Sequence, residues 1–160
     1  MQQHGITSHV IESFKKRYGG LRMAKVCTDI EQSKRLIKLG LDIITADMIY
    51  SVDEKGNYVL DFLSSPIIRN YYSIRNNYRI PSWSFPRMFE LLPEIKNNEY
   101  YSTPELRRGL SSYWIDYPSI NIEAALSADN AVDAAFKCLV WCIEHGYIKT
   151  NKSEKNEGEI

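Results

Sequence analysis

The sequence predicts an α+β fold, in which a small, mainly antiparallel sheet of four to five strands packs with three helices, plus an N-terminal helical arm. Helical periodicity with start and stop signals recurs along the body of the chain. Between the helical segments, short runs alternate apolar and polar residues and end at turn residues, which is typical of strands. The sequence lacks the regular strand–helix alternation of a doubly wound parallel sheet, so we expect hairpins rather than crossovers.

Both ends of the chain are predicted to be attachments to one domain. Residues 1–22 contain a short helical pattern that ends at Gly19, and Met23 is an alternative start, so we interpret this segment as an N-terminal arm. The alternative is that the segment packs on the edge of the domain. Residues 23–149 form the predicted single α+β domain, which is long enough to bury one core. Residues 150–160 are polar and without periodicity, which predicts a flexible tail.

The first helix of the domain is predicted to begin at Thr28 and to end at Gly40. Thr28 and Glu31 have the spacing of a capping box, and Gly40 is suited to a left-handed stop. A short strand is expected just before this helix, in "AKVCT". After the helix, the pattern predicts a β-hairpin with strands Met48–Val52 and Tyr58–Phe62.

A second, short helix is predicted in "SFPRMFELLP". Ser84 is a suitable N-cap, Pro86 fits the first turn, and Pro93 ends the helix. Two further strands are expected in "EYYS" and "SSYWIDY", with "TPELRRG" as the turn that joins them. These strands would complete the predicted sheet.

The last helix is predicted from Ala131 to His145, with Asn130 or Asp129 as N-cap and Gly146 as stop. Trp141 falls on the face opposite the main apolar stripe. Either the helix is buried on two sides, or Trp141 marks an interface with a partner. The residues predicted to share the core-facing stripe are Val132, Phe136, Leu139, Val140 and Ile143.

The composition is that of an ordinary globular protein, with 44% hydrophobic and 25% charged residues. The formal net charge is zero, so no overall field attracts the chain to nucleic acid or membrane. The apolar run at 134–143 is too short to span a bilayer, and the N-terminus lacks an apolar signal core. Cys27, Cys138 and Cys142 have no framework spacing, which fits a reducing compartment. We therefore expect a cytoplasmic protein without a membrane partner.

Recognisable catalytic motifs are scarce. The sequence contains no phosphate-binding loop, dinucleotide fingerprint, zinc-protease helix or nucleophile elbow. Cys138, Cys142 and His145 share one side of the last helix, but three ligands on one helix without a fourth make a poor zinc site. We interpret the cysteines as small core residues. The aspartates near element ends fit turn chemistry better than paired acid–base catalysis. The sequence therefore favours a non-enzymatic function, with no cofactor and no metal.

The most unusual composition lies between Phe62 and Phe89, a stretch with four arginines and no acidic residue. Arginine presents a planar fork that suits phosphate and stacks on aromatic rings. Interleaved aromatic residues and asparagines suit a nucleotide or a single-stranded nucleic acid. The alternative is a scaffold loop with its tyrosines on the sheet and its arginines in water, and Trp83 as a structural residue before the helix cap. The predicted ligand-binding residues are Arg69, Tyr72, Arg75, Tyr78, Arg79, Trp83 and Arg87.

Three segments carry a resemblance: "CTDIEQSKRLIKLGLDIITADMIY", "IPSWSFPRMFELLP" and "DNAVDAAFKCLVWCIEHGYI". Together they resemble a group of small uncharacterised proteins of phages and mobile elements of gut bacteria. The shared features are a Thr-x-x-Glu-Gln-Ser-x-x-Leu helix, a Pro-x-Trp-Ser helix, and a Val-Asp-Ala-Ala-Phe helix ending in Gly-Tyr-Ile. The resemblance covers Cys27 to Ile148 and implies the cytoplasm of a bacterial host. The group has no assigned activity, so no catalytic residue is carried over. The arm before Met23 and the basic, aromatic stretch Ser64–Arg79 depart from its pattern.

Three functions are compatible with these features. The first is a binding protein that captures an anionic ligand, such as a defence-signalling nucleotide, through the arginine- and aromatic-rich stretch and so counters host defence. The alternative is a protein–protein inhibitor or adaptor that contacts a host protein through Trp141 and the arm. The second alternative is a carboxylate-dependent phosphoester hydrolase. A homo-oligomer is compatible with the first two functions.

Overall fold

The computed structural model describes residues 25–63, 79–118, 120 and 127–151. The predicted arm (1–22) and nearly all of the predicted tail lie outside these ranges. The described residues form three α-helices and seven strands, with a short 3₁₀ helix at Ile43–Thr45. The helices are α1 (Ile30–Leu39), α2 (Phe85–Leu91) and α3 (Ala131–Glu144). The strands are β1 (Met48–Val52), β2 (Tyr58–Phe62), β3 (Arg79–Ser82), β4 (Ile95–Asn97), β5 (Tyr100–Ser102), β6 (Glu105–Arg108) and β7 (Tyr113–Asp116).

The strands of the described residues are antiparallel and divide into three groups, so the predicted α+β class is confirmed. One group has the order β2-β1-β3, and the other two are the pairs β4-β5 and β6-β7. In the three-stranded group, Tyr50 lies opposite Leu60 on one side and Ile80 on the other. The prediction of one sheet with four to five strands is not confirmed, because the described strands are distributed over these three small groups.

The first hairpin has the predicted strands and the predicted turn. The amide of Asp53 donates to the Asn57 carbonyl over 2.9 Å, which closes the turn. The Asp53 carboxylate accepts from the amides of Lys55 and Asn57. Gly56 has φ of 83°, a left-handed conformation that favours glycine. Turn residues of the kind that hairpins require therefore made this element predictable.

The region after α2 differs from the prediction. β5 pairs with β4 rather than with the later strand, and Asn98 in the turn between them has φ of 50°. The segment "TPELRRG", predicted as a turn, contains strand β6, which pairs with β7. The actual turn is closed by the amide of Gly109, which donates to the Ser112 carbonyl over 2.8 Å. β6 escaped prediction because all four of its residues are exposed, so no apolar alternation marks it.

The helix boundaries follow the predicted signals with one correction. The N-cap of α1 is Asp29, not Thr28: the Gln32 amide donates to Asp29 Oδ1, and the Gln32 side chain accepts from the Asp29 amide. The Thr28 hydroxyl is buried and lies 2.7 Å from the Ser33 hydroxyl. Gly40 ends α1 with φ of 93°, as predicted. Ser84 caps α2 and Asn130 caps α3, also as predicted.

Helix α3 is buried on two sides. Of its predicted core stripe, Ile143 is half-buried and the other members are buried. Ala134, Cys138 and Cys142 on the other side are also buried, which is why its apolar pattern is not a single stripe. The helix packs against α1, α2 and β7 and so forms the centre of the described core.

Candidate functional site

Part of the predicted ligand-binding group lies in the described structure, and part does not. Arg69, Tyr72, Arg75 and Tyr78 lie outside the described residues. Arg79, Trp83 and Arg87 lie within them, at the start of β3, after β3 and in α2. Convergence of the four arginines on one ligand therefore stays a prediction.

Trp83 has a structural position. Its side chain is fully buried in the core, and its indole Nε1 donates to the Thr45 hydroxyl over 2.9 Å. Its backbone amide donates to the Thr28 hydroxyl over 3.1 Å. Because the ring has no exposed surface, it offers no face to a ligand in this structure. The scaffold interpretation fits Trp83 better than the ligand-binding one.

Arg87 and Arg79 differ in their exposure to solvent. Arg87 Nε donates to the Thr45 carbonyl over 2.7 Å, and Arg87 Nη1 lies 3.1 Å from the Glu90 carboxylate. Both contacts fix Arg87 to its own scaffold. Arg79 is exposed at the first position of β3, opposite Ser51. Of the two predicted ligand-binding arginines that the structure describes, Arg79 is exposed and Arg87 is half-buried.

Trp141, the predicted interface residue, belongs to a stack of three rings, which we call the aromatic stack: Trp141, His145 and Tyr147. The ring centroids of Trp141 and His145 are 4.4 Å apart, and those of Trp141 and Tyr147 are 5.3 Å apart. Both pairs are nearly parallel, with interplanar angles of 25° and 24°. Trp141 is half-buried against the core, whereas His145 and Tyr147 are exposed. The stack therefore joins the core to the surface.

The end of α3 explains why these rings meet. Gly146 has φ of 76°, and its amide donates to the Ile143 carbonyl over 3.1 Å. The Tyr147 amide donates to the Cys142 carbonyl over 2.9 Å. These bonds define a Schellman motif, which commonly places an apolar residue against the last helical turn. The motif accounts for an apolar contact between Tyr147 and Trp141, but it does not require exposed aromatic rings.

A second cluster centres on the ammonium group of Lys25. Lys25 Nζ donates to Asp133 Oδ1 over 2.6 Å, to Gln32 Oε1 over 2.8 Å and to Asp29 Oδ2 over 2.9 Å. Gln32 Nε2 also donates to Asp133 Oδ1, over 2.7 Å. Asn130 Nδ2 donates to Asp133 Oδ2, again over 2.7 Å. We call these five residues the Lys25 network, and it connects the first turns of α1 and α3.

The Lys25 network keeps its charges. Partial burial alone would raise the pKa of the Asp133 carboxyl, but the hydrogen bonds from Lys25, Gln32 and Asn130 outweigh burial and lower that pKa. Burial would also raise the pKa of Asp29, but the bonds from the Gln32 amide and from Lys25 lower it. Burial would lower the pKa of Lys25, and its bonds to Asp133 and Asp29 raise it instead. The two carboxylates thus converge on an ammonium group, as in a structural ion pair.

A cleft of about 370 Å³ lies beside the Lys25 network. Gln32 and Asp133 contribute to both, and Phe136 of α3 adds an apolar surface. Ser112, in the turn between β6 and β7, also lines the cleft. The remaining lining residues are Ser127, Ala128, Asp129 and Lys137. No local sequence pattern indicates this cleft, because it joins segments that are far apart in the chain.

The three cysteines are free and buried, which agrees with their interpretation as small core residues. Cys142 Sγ lies 3.7 Å from the Tyr117 hydroxyl, which donates to the Pro93 carbonyl over 3.0 Å. The hydrogen bond with Cys142 and burial raise the pKa of the Cys138 thiol, which disfavours the reactive thiolate. Among the described residues, no three His, Cys, Asp or Glu side chains are grouped as metal ligands.

Comparisons of the chain with protein-family models, with curated proteins and with solved structures found no match. In the described part of the chain, no helix combines the length and the apolar character that crossing a membrane requires. The candidate sites therefore rest on the geometry of this chain alone.

Proposed function

We propose that the protein is a non-enzymatic binding protein that contacts a partner protein through the aromatic stack. The observation that carries this proposal is the preorganised stack of Trp141, His145 and Tyr147, in which the rings of His145 and Tyr147 are exposed. Tryptophan and tyrosine are enriched among the residues that dominate binding energy at protein interfaces. Rings that are already held in place lose little conformational freedom on binding, which favours affinity. The resemblance to proteins of phages and mobile elements favours a bacterial host protein as the partner.

The test compares the full chain with a Tyr147→Leu variant. Leucine keeps an apolar contact with Trp141 at the end of α3 but removes the exposed ring, so stability should change little. Each tagged protein is expressed in a gut bacterium, crosslinked in the cell and purified, and the crosslinked proteins are quantified by mass spectrometry. We expect one host protein to be enriched with the wild type and reduced at least tenfold with Tyr147→Leu, which corresponds to about 1.4 kcal/mol.

A matched control is Tyr100→Leu, which removes another exposed tyrosine on the β4–β5 hairpin. This variant should retain the partner in full. Equal recovery of the partner with Tyr147→Leu and with the wild type would overturn the assignment to the aromatic stack. Wild-type protein that enriches no host protein over an unrelated tagged control would overturn the proposed class.

A second candidate function, capture of an anionic ligand such as a nucleotide, is favoured by a separate observation. The acid-free stretch between Phe62 and Phe89 holds four arginines, and Arg79 at the start of β3 is exposed. The test is calorimetric titration with mono-, di- and cyclic oligonucleotides. We expect the Arg75→Ala/Arg79→Ala double variant to bind more weakly without losing stability. If no nucleotide gives heat at a protein concentration of about 0.1 mM, a range that detects micromolar binding, this candidate is rejected.

A further inference from the structure

Strand β6 (Glu105–Arg108) presents an exposed backbone edge. All four of its residues are exposed, and among the described strands it pairs with β7 alone. The edge of a sheet is a template to which another extended chain adds by backbone hydrogen bonds. We propose that β6 binds an extended, acidic segment of another protein as an added antiparallel strand. This surface shares no residue with the aromatic stack, so the inference goes beyond the proposed function and does not depend on it.

The register of the β6–β7 hairpin determines which backbone groups face outward. The Gly109 amide donates to the Ser112 carbonyl over 2.8 Å, so these two residues form a hydrogen-bonded pair. Hydrogen-bonded and non-hydrogen-bonded pairs alternate along an antiparallel ladder, so the next pair, Arg108 with Tyr113, is non-hydrogen-bonded. Tyr113 agrees with this assignment, because its amide and its carbonyl each form a bond of 2.8 Å with Ala128 on the other side of β7. The amide and the carbonyl of Arg108 therefore point away from β7.

Leu106 has the same orientation as Arg108, because it lies two positions earlier on β6. Within the described ranges, the amides and carbonyls of these two residues take part in no backbone hydrogen bond with another segment. An added antiparallel chain can therefore form two hydrogen bonds with each residue. The backbone of Arg107, between them, faces Trp114 of β7, so the added chain does not compete with the hairpin. The Leu106 side chain is 39% exposed and lies on the same face of β6 as Arg108.

The charges on the two faces of β6 favour an acidic partner. On one face, the Arg107 guanidinium is paired with the carboxylates of Glu105 at 3.2 Å and Asp116 at 3.4 Å. On the other face, the Arg108 guanidinium lies over the Tyr113 ring, with Cζ 5.6 Å from the ring centroid. In the described part of the chain, Arg108 forms no ion pair. An acidic residue opposite Arg108 on the added strand would complete a cross-strand pair of opposite charges.

A second copy of this chain fits the edge less well. The symmetric antiparallel pairing that uses the outward groups of both Leu106 and Arg108 places Arg107 directly opposite the same residue of the copy. Like charges in that position destabilise a pair of strands. Moving the symmetry centre to Leu106 pairs Arg108 with Pro104, which has no N–H to donate, and moving it to Arg108 places that residue opposite itself. The charges on β6 therefore disfavour self-pairing and favour an acidic segment from a different protein.

The probe is the peptide acetyl-Thr-Glu-Thr-Val-Thr-amide, whose antiparallel pairing places its glutamate opposite Arg108 and its valine opposite Leu106. It is titrated into the isotope-labelled full chain, and amide chemical shifts are followed by NMR. We expect the amides of Leu106 and Arg108 to shift, with a dissociation constant on the order of 1 mM. A peptide with glutamine in place of glutamate should bind about fivefold more weakly, because it lacks the charge. A peptide methylated on the valine nitrogen should bind about tenfold more weakly, because it cannot donate to the Leu106 carbonyl.

Variants of the protein test the same contacts from the other side. Leu106→Pro removes an amide hydrogen that points outward, so it should abolish binding while the β6–β7 ladder remains. Leu106→Val keeps that hydrogen and an apolar side chain, and its binding should stay within about twofold of the wild type. Arg108→Gln should remove the preference for glutamate over glutamine. Lys55→Gln, at an exposed position of the β1–β2 turn, is the matched control and should keep the preference.

Equal binding of the three peptides to the wild type, or no shift at several times the expected dissociation constant, would overturn the proposal. Self-association of the full chain that Leu106→Pro abolishes, measured by analytical ultracentrifugation, would also overturn it and would assign the edge to a second copy. The methylated peptide keeps the test decisive even if Leu106→Pro does not fold. Capture of a host protein through Tyr147 does not enter this experiment, so each proposal stands or falls without the other.

Discussion

At the scale of single residues, Lys25 is the side chain on which we expect stability to depend most directly. Lys25→Met removes the donor shared by Asp29, Gln32 and Asp133. It leaves the partly buried acceptors of Gln32 and Asp133, and the exposed carboxylate of Asp29, without that donor. The loss of unfolding free energy at pH 7 should be about 1–3 kcal/mol. The measurement is urea denaturation of both proteins. Lys55→Met, at an exposed position of the β1–β2 turn, is the control and should change stability by less than about 0.5 kcal/mol.

The same network predicts how stability depends on pH. The pKa values of Asp29 and Asp133 are lowered in the folded state, so their contribution is present above the usual aspartate pKa of about 3.9 and is lost as pH falls through the lowered values. The raised pKa of Lys25 gives a contribution that is present below about 10.4 and is lost as pH rises further. The difference in unfolding free energy between the wild type and Lys25→Met should thus be largest between about pH 5 and 10, and it should shrink in acid. A difference that is the same at pH 3 and pH 7 would contradict this assignment.

At the scale of elements, the end of α3 gives the clearest prediction. Gly146 has φ of 76°, and a Cβ atom there would meet nothing within 4 Å, so substitution tests the backbone conformation alone. Gly146→Ala should cost about 1–2 kcal/mol, and Gly146→Asn clearly less, because asparagine tolerates the left-handed region. Thermal and urea denaturation measure both. Equal losses for the two variants would mean that the cost does not come from the left-handed conformation.

The elements that the sequence predicts well are those with local signals. Gly40, Ser84, Asn130 and Gly146 mark helix ends through their own backbone or side-chain chemistry, and the structure has them in those roles. Strand β6 has no such signal, because an exposed strand in a two-stranded pair needs no apolar side. The grouping of strands into sheets also depends on which distant segments meet. A local sequence pattern carries no information about those contacts. Fold class was therefore predictable, and sheet organisation was not.

At the scale of the whole molecule, the candidate sites depend on contacts between distant segments. Lys25 and Asp133 are 108 positions apart, so no spacing rule brings them together. Trp83 is a case in which the local sequence suggests a role that the fold does not support. Its neighbours in the sequence are arginines and tyrosines, which suggests ligand binding, but its side chain lies fully buried in the core. Residue type alone does not separate a buried tryptophan from an exposed one. Burial and long-range pairing, which decide function, come only with the fold.

The division into an arm and a domain stays a prediction, and a truncation series tests it. A protein of residues 23–151 retains the Lys25 network and every described member of the core cluster, which begins at Leu36. We therefore expect it to fold, with less than about 1 kcal/mol lost in urea denaturation and with unchanged amide NMR shifts for α1 and α3. A protein of residues 27–151 lacks Lys25 and should lose at least as much as Lys25→Met. If residues 23–151 unfold, the arm supplies part of the core and the predicted boundary is wrong. If both truncations are equally stable, the Lys25 network contributes nothing to the joining of α1 and α3.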